Sequence, residues 1–292
     1  MLGAALRQSL SAHGATVLQL LRRLPQSPNQ FQWNPSLSQL SPPEAFEGLT
    51  GAIHLSGANL AARRWSEAYR REIVESRVAS TRAIATALAR LSTPPKMLLV
   101  ASAVGIYGDR GGELLDETSQ PGKGFIASLC HQWEAAAEPA ATAGIRVIHM
   151  RFGIVLGSSE GALARFLPFF RLGLGGRVGD GRQYMSWISL PDAVGGVEFL
   201  LQLPDARGAY NFTSPNPVTN AQFTQLLAAQ LHRPAFFTIP RFAARLAFGE
   251  MADEALLAST RAYPARLAAA GYQFAHPSLV HAFPALLSPV FR

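Results

Sequence analysis

The chain has a single cysteine, Cys130, and no run of apolar residues long enough to cross a membrane. One cysteine excludes an intrachain disulfide framework and is typical of a reducing compartment. A membrane-spanning helix needs about 20 consecutive apolar residues, so no membrane span is predicted. The seven histidines are scattered, and no cluster of metal-ligand residues is seen. We therefore expect a cytoplasmic protein without a metal site, the alternative being an organelle stroma or matrix.

Acidic residues are also scarce, with 19 Asp and Glu against 26 Lys and Arg, a net charge of +7. The first acidic residue is Glu44, and an acid-free, Ser-containing start is also typical of a transit peptide, which stays an alternative. The arginines are scattered and not interleaved with aromatic residues, so binding to nucleic acid is not predicted. The positive charge would suit an anionic cofactor.

The first half of a nucleotide-binding βαβ unit is lacking. Residues 2–13 predict a helix that Gly14 stops, and residues 15–21 predict a short buried strand. Such a unit should open with a strand and a glycine-rich turn, of which only Gly3 remains. We expect the gene product to extend upstream of Met1 by about ten residues, one short strand and a turn. We expect that strand to lie between residues 15–21 and 96–101.

Strands and helices alternate through the first two thirds of the chain. Residues 51–56, 96–101 and 145–151 predict strands, and residues 66–91 and 125–141 predict helices. This order predicts an α/β fold with a doubly wound parallel sheet whose ligands bind beyond the carboxyl ends of the strands. We divide the chain into a Rossmann-like nucleotide-binding domain, 1–215, and a small, mainly helical cap, 216–292. Within the first domain, residues 157–186 predict a substrate-side loop.

Several motifs are more specific than a lone glycine pattern: LSGANLAARRWSEAYRREIVESR, SAVGIYGDRG, LCHQWE, RFGIVLG, FRLGLGGRVGDGRQYMSWI and GEMADEALLASTRAYPARLAAAGYQF. With them, the chain resembles the epimerase-like family of atypical short-chain dehydrogenases/reductases over essentially its whole length. Members bind NAD or NADP, and they end in a small C-terminal domain of unknown function.

Arginine at the end of the second strand indicates the nucleotide. An acidic residue there would select NAD, whereas Arg22, followed by Arg23, suits the 2′-phosphate of NADP. The resemblance also implies NADP. The cofactor-binding residues it implies, with Gly3 as the last glycine of the turn, are Leu21, Arg22, Leu55, Ser56, Glu72, Arg77 and Val155. Each of these roles has an alternative. Arg22 could be a solvated arginine at a strand end, Glu72 and Arg77 could form a structural ion pair, and Val155 could be an ordinary core residue.

The usual acid–base pair of related reductases is replaced. These enzymes use a Tyr-x-x-x-Lys on a helix, and the matching positions hold Phe125 and Leu129. Tyr107 and Ser102 are the remaining catalytic candidates, a packing role for Tyr107 being the alternative. We expect an NADP-binding oxidoreductase or epimerase-like protein acting on a small-molecule substrate. The alternatives are a catalytically silent NADP-binding regulatory protein and a cofactor-free protein acting through interactions.

Overall fold

The computed structural model describes residues 1–288. Gly14, with a φ of 81°, lies just beyond the first helix and allows the turn into the first strand. A π turn at Glu75–Ala79 joins the second and third helices into one rod. The helices are α1 Leu2–Ala12, α2 Glu67–Val74, α3 Ser80–Ala89, α4 Phe125–Ala135, α5 Glu138–Thr142, α6 Gly161–Arg171, α7 Leu190–Gln202, α8 Asn220–Leu231, α9 Arg241–Phe248, α10 Ala265–Ala269 and α11 Leu279–Leu287.

Four parallel strands form the central sheet, in the order β11, β6, β4, β3. The other strands pair two by two: β1 with β2, β7 with β10, β5 with β14, β8 with β13 and, antiparallel, β9 with β12. The strands are β1 Gln19–Leu21, β2 Gln30–Gln32, β3 Ala52–His54, β4 Met97–Ala103, β5 Leu114–Leu115, β6 Arg146–Phe152, β7 Ile154–Leu156, β8 Gly176–Val178, β9 Tyr184–Met185, β10 Trp187–Ser189, β11 Gly208–Phe212, β12 Val218–Thr219, β13 Phe237–Ile239 and β14 Arg261–Ala262.

Helices cover both faces of this sheet. On one face, α3, α4 and α5 pack against Leu98 and Val100. On the other face, α1 and α7 pack against Met97 and Leu99. Alternate residues of a strand point to opposite faces, so the apolar run of β4 serves both cores. The predicted doubly wound α/β fold is confirmed. The division at residues 215 and 216 stays a prediction.

Three expectations about local structure are wrong. The segment 157–186 is not a loop, because it holds helix α6 and strands β8 and β9. β4 has strands on both sides, β3 and β6, so residues 96–101 do not border an open position in the sheet. β1 was expected to share a sheet with residues 96–101, but it lies outside the four-stranded sheet and pairs in parallel with β2.

No helix within residues 1–288 is long and apolar enough to cross a membrane.

Candidate functional site

Three polar side chains lie in one row at the carboxyl ends of adjacent strands. Ser102 of β4 is in register with Arg151 of β6, which is in register with Asn211 of β11. Neighbours in register project from the same face of a sheet. The α/β topology therefore brings together three residues that are far apart in the sequence.

Helix α4 lies over this row and supplies its counter-ion, Glu134. The Arg151 guanidinium donates to both carboxylate oxygens of Glu134, at 2.8 and 2.9 Å, and the Ser102 hydroxyl donates to the same carboxylate at 2.8 Å. Burial alone would raise the pKa of Glu134, but the hydrogen bonds and charge of Arg151 hold it below its ordinary value. Arg151 and Glu134 therefore form a largely buried ion pair.

Tyr107 closes the network on the other side of Arg151. Its hydroxyl donates to Asn211 Oδ1 at 2.8 Å and accepts from Arg151 at 3.0 Å. The side chain is fully buried, and burial raises the pKa of its phenol despite the opposing charge of Arg151. Both predicted catalytic groups, Ser102 and Tyr107, thus have their hydroxyls engaged inside the protein. Their catalytic role stays a prediction, and this geometry favours the alternative of a packing role for Tyr107.

Apolar packing surrounds the two positions where related enzymes carry tyrosine and lysine. Leu129 is buried in a cluster with Tyr69 and Ile73. The Phe125 ring packs edge-on against Trp65, with 5.2 Å between ring centroids. The neighbouring thiol of Cys130 is also buried, which raises its pKa to about 12 and keeps it protonated. Phe125, Leu129 and Cys130 therefore supply no proton donor of ordinary strength.

The C-terminal part of the chain docks on the start of helix α4. The Glu254 carboxylate accepts from the backbone N–H of Phe125 at 3.2 Å and of Ile126 at 3.1 Å. Gly124, at a φ of +103°, precedes the helix and makes no side-chain cap of its own. A carboxylate at a helix N-terminus satisfies free N–H groups and the helix dipole, so Glu254 replaces the missing cap.

Glu254→Ala is expected to lower the free energy of unfolding by about 1–2 kcal/mol, the usual cost of losing an N-terminal cap. Equilibrium urea unfolding measures it. The control is Glu250→Ala, which removes a surface ion pair with Arg70 and is expected to cost less than about 1 kcal/mol. Equal losses for the two variants would mean that Glu254 is only another surface charge.

The predicted cofactor residues Gly3, Leu55 and Val155 come together on the opposite face of the sheet. The position that a Cβ would take on Gly3 lies 3.9 Å from Leu55 Cδ1. Leu55 and Val155 pack against the same core cluster as α1. Helix α1 has no side-chain cap and no acidic residue in its first turn. The Met1 ammonium just before this helix pairs with the Glu160 carboxylate at 2.6 Å.

Arg22 directly follows β1, and its side chain is exposed and free to reach a ligand. Leu21, the last residue of β1, is half-buried. Ser56 is exposed just beyond β3. An exposed guanidinium and an exposed hydroxyl at strand carboxyl ends suit a phosphate and a ribose.

Arg77 is buried and holds the turn that follows β3. It donates to the carbonyl of Ala58 at 2.9 Å, and its guanidinium lies over the Trp133 ring. The Ser76 hydroxyl accepts from the N–H of Ala58 at 2.9 Å. Glu72 is exposed and pairs with Arg63 at 3.8 Å, not with Arg77. Arg77 thus shapes the turn carrying Ser56, whereas Glu72 lies at the surface.

Sequence reasoning missed Arg151, Asn211 and Glu254. Arg151 ends a strand, as Ser102 does, and polar residues at the ends of parallel strands are the signal that could have found it. Asn211 has the same position in β11, a strand that the sequence patterns did not predict, and Glu254 carries no such signal, because its partner is 129 residues away.

Residues 1–212 match the NAD-dependent epimerase/dehydratase family, and residues 239–286 match a domain of unknown function, DUF1731. The chain belongs to the NAD-dependent epimerase/dehydratase family. It is 42% identical over 279 residues to the epimerase family protein Mb2239 of Mycobacterium bovis, covering 96% of this chain and 92% of that protein. It is 34% identical over 281 residues to the human epimerase family protein SDR39U1, covering 95% and 93%.

Two solved structures of family members are similar to this one. The crystal structure of human SDR39U1, isoform 2, with NADPH has a TM-score of 0.90 at 32% identity, over 98% of this chain and 95% of that one. The nucleoside-diphosphate sugar epimerase of Corynebacterium glutamicum has a TM-score of 0.76 at 33% identity, over 98% of this chain and 56% of that one. The Rossmann-like, short-chain-dehydrogenase architecture expected from the motifs is thereby confirmed.

Proposed function

We propose that this protein binds NADP(H) at the carboxyl edge of its sheet and acts as an oxidoreductase or epimerase-like protein on a small molecule. The observation that carries the proposal is the exposed Arg22 at the end of β1, where an acidic residue would select NAD. The NADPH held by human SDR39U1 supports the same nucleotide. When bound, the nicotinamide would supply hydride chemistry.

The residues present fit this cofactor. Arg22 would bind the 2′-phosphate, and Leu21 would pack against the adenosine. Ser56 would bind a ribose hydroxyl, on a turn that Arg77 shapes through Ala58. The uncapped N-terminus of α1 at Gly3 would face the pyrophosphate, and Val155 would line the nicotinamide end. Glu72, at the surface beside Arg63, contributes least to this site.

Arg22→Ala is expected to weaken NADPH binding about ten-fold or more and to leave NADH binding nearly unchanged. Losing a charge-assisted contact to the 2′-phosphate costs on the order of 1.5–3 kcal/mol, and NADH has no such phosphate. Calorimetric titration of the natively expressed protein measures both affinities. Arg82→Ala, an exposed arginine on α3, is the control and should change neither. Equal weakening of NADPH and NADH would show that Arg22 acts structurally.

A second function, NADP binding without turnover, is favoured by the apolar surroundings of Phe125 and Leu129. Deuterium labelling separates the two functions. NADPH carrying deuterium at both hydrogen positions of nicotinamide C4 is incubated with the protein and a cell's small-molecule extract, and mass spectrometry follows the label. Deuterium appearing in one metabolite supports the oxidoreductase, whereas label retained on the nicotinamide supports the regulatory protein.

A further inference from the structure

A group of large apolar side chains protrudes from one side of the molecule. Phe236 is 89% exposed, Leu246 74%, Leu172 73% and Phe242 72%. Phe169, Leu174, Phe237, Ile239 and Phe248 are also exposed. A large exposed apolar patch is typical of an interaction site, whereas single exposed apolar residues are common on any protein surface.

Two segments, 169–182 and 233–248, build this surface and pack against each other. Strand β13 pairs with β8, placing Phe237 beside Gly176 and Ile239 beside Val178. Arg233 Nε donates to the carbonyl of Arg171 at 2.8 Å, next to Leu172. Helix α9 turns only Ala244 fully into the protein, so Phe242 and Leu246, one turn apart, face outward. We call these two segments the apolar–arginine surface.

The charge of this surface is strongly one-sided. Its two segments hold six arginines and a single aspartate, so they carry most of the chain's net charge of +7. Arg245 pairs with Asp253 at 2.9 Å. Within residues 1–288, Arg171, Arg177 and Arg241 form no salt bridge with the protein. The complementary partner must therefore be negatively charged as well as apolar.

We propose that the apolar–arginine surface docks on a phospholipid bilayer that carries anionic headgroups. A second copy of the chain is a poor partner, because a two-fold interface would place the arginines of one copy next to those of the other, and like charges repel. A partner helix would need a groove, whereas these side chains project outward, four of them more than two thirds exposed. Projecting Phe and Leu with arginines beside them match a bilayer surface, where apolar groups enter the acyl boundary and cations meet phosphates.

Co-sedimentation with sucrose-loaded vesicles tests the proposal on the full chain. Phosphatidylcholine vesicles are compared with vesicles that also contain phosphatidylglycerol, at low and high salt. We expect binding at least ten-fold tighter to the anionic vesicles, weakened by salt. Phe242→Ser with Leu246→Ser should lower that binding at least ten-fold, because two inserted apolar side chains are lost. Arg171→Gln with Arg241→Gln should lower it about five-fold per arginine on anionic vesicles only.

The matched control is Leu24→Ser with Arg82→Gln, since Leu24 is 72% exposed and Arg82 is also exposed, both outside the surface. It should bind as the unaltered protein does, and all three variants should melt at the same temperature, because the replaced side chains lie at the surface. Three results would overturn the proposal. The first is that the protein does not bind vesicles, and the second is that the control variant loses as much binding as the others. The third is that the protein forms a dimer in sedimentation velocity, that Phe242→Ser with Leu246→Ser dissociates this dimer, and that the protein does not bind vesicles.

Discussion

Arg151→Met is expected to lower the free energy of unfolding by about 3–5 kcal/mol, because it leaves the buried Glu134 carboxylate without its counter-ion. The Tyr107 hydroxyl also loses the guanidinium as a partner. A loss of this size is a large part of the roughly 5–15 kcal/mol that stabilises a domain. Equilibrium unfolding in guanidinium chloride, followed by tryptophan fluorescence, measures it.

The matched control is Arg110→Met, since Arg110 also makes a two-pronged contact with a glutamate, Glu113, but near the surface. That change should cost less than about 1 kcal/mol. Arg151→Met combined with Glu134→Leu should recover part of the loss, because neither charge is then left unpaired. A cost below about 1 kcal/mol for Arg151→Met would contradict the interior ion pair.

Lowering the pH from about 7 to about 5 is expected to reduce the free energy of unfolding through His54 alone by about 2 kcal/mol. His54 is buried on β3, beside the Ser80 hydroxyl at 3.1 Å, and burial lowers its pKa from 6.5 to about 4. At a pH between these two pKa values, His54 is protonated in the unfolded chain but neutral in the folded protein. Stability is therefore lost as the pH falls through 6.5 and levels off below about 4.

His54→Gln isolates this effect, because glutamine keeps a hydrogen-bonding side chain at that position and does not titrate. Urea unfolding at about pH 7 and about pH 5 should show a smaller loss in the variant, by about 2 kcal/mol. The pH window lies above the ordinary pKa of glutamate, so Glu134 does not contribute to it. Identical pH dependence in the two proteins would mean that His54 titrates normally.

Much of the nucleotide-binding half is predictable from the sequence, because its periodic patterns are strong. The predicted helix 2–13 corresponds to α1, and the predicted strand 145–151 to β6. The start of α8 carries a signal of the same local kind, the capping box between Thr219 and Gln222. Each of these signals is local, so tertiary structure was not needed to interpret it.

Helix α6 is not predicted from the sequence, because Gly161, Pro168 and the glycines that follow the helix are typical of a loop. The signal was present, since Leu163, Leu167 and Phe170 recur at helical spacing and are all buried. Tertiary packing of that stripe against α8 outweighs the weak local propensity. A predicted loop thus becomes a packed helix that carries part of the apolar–arginine surface at its end.

The polar network could not be predicted, because it depends on strand register. From the sequence, Ser102 and Tyr107 are catalytic candidates. Only the alignment of β4, β6 and β11 shows that Arg151 and Asn211 meet them inside the protein. Strand register depends on tertiary packing, so it cannot be predicted from one segment of the sequence alone.

Titration of the natively expressed protein with NADPH and NADH tests the proposed function most directly. Nicotinamide fluorescence reports the binding of both nucleotides. With Arg22 at the end of β1, we expect saturable NADPH binding about ten-fold tighter than NADH or better. Binding of neither nucleotide, or equal affinity for the two, would contradict it.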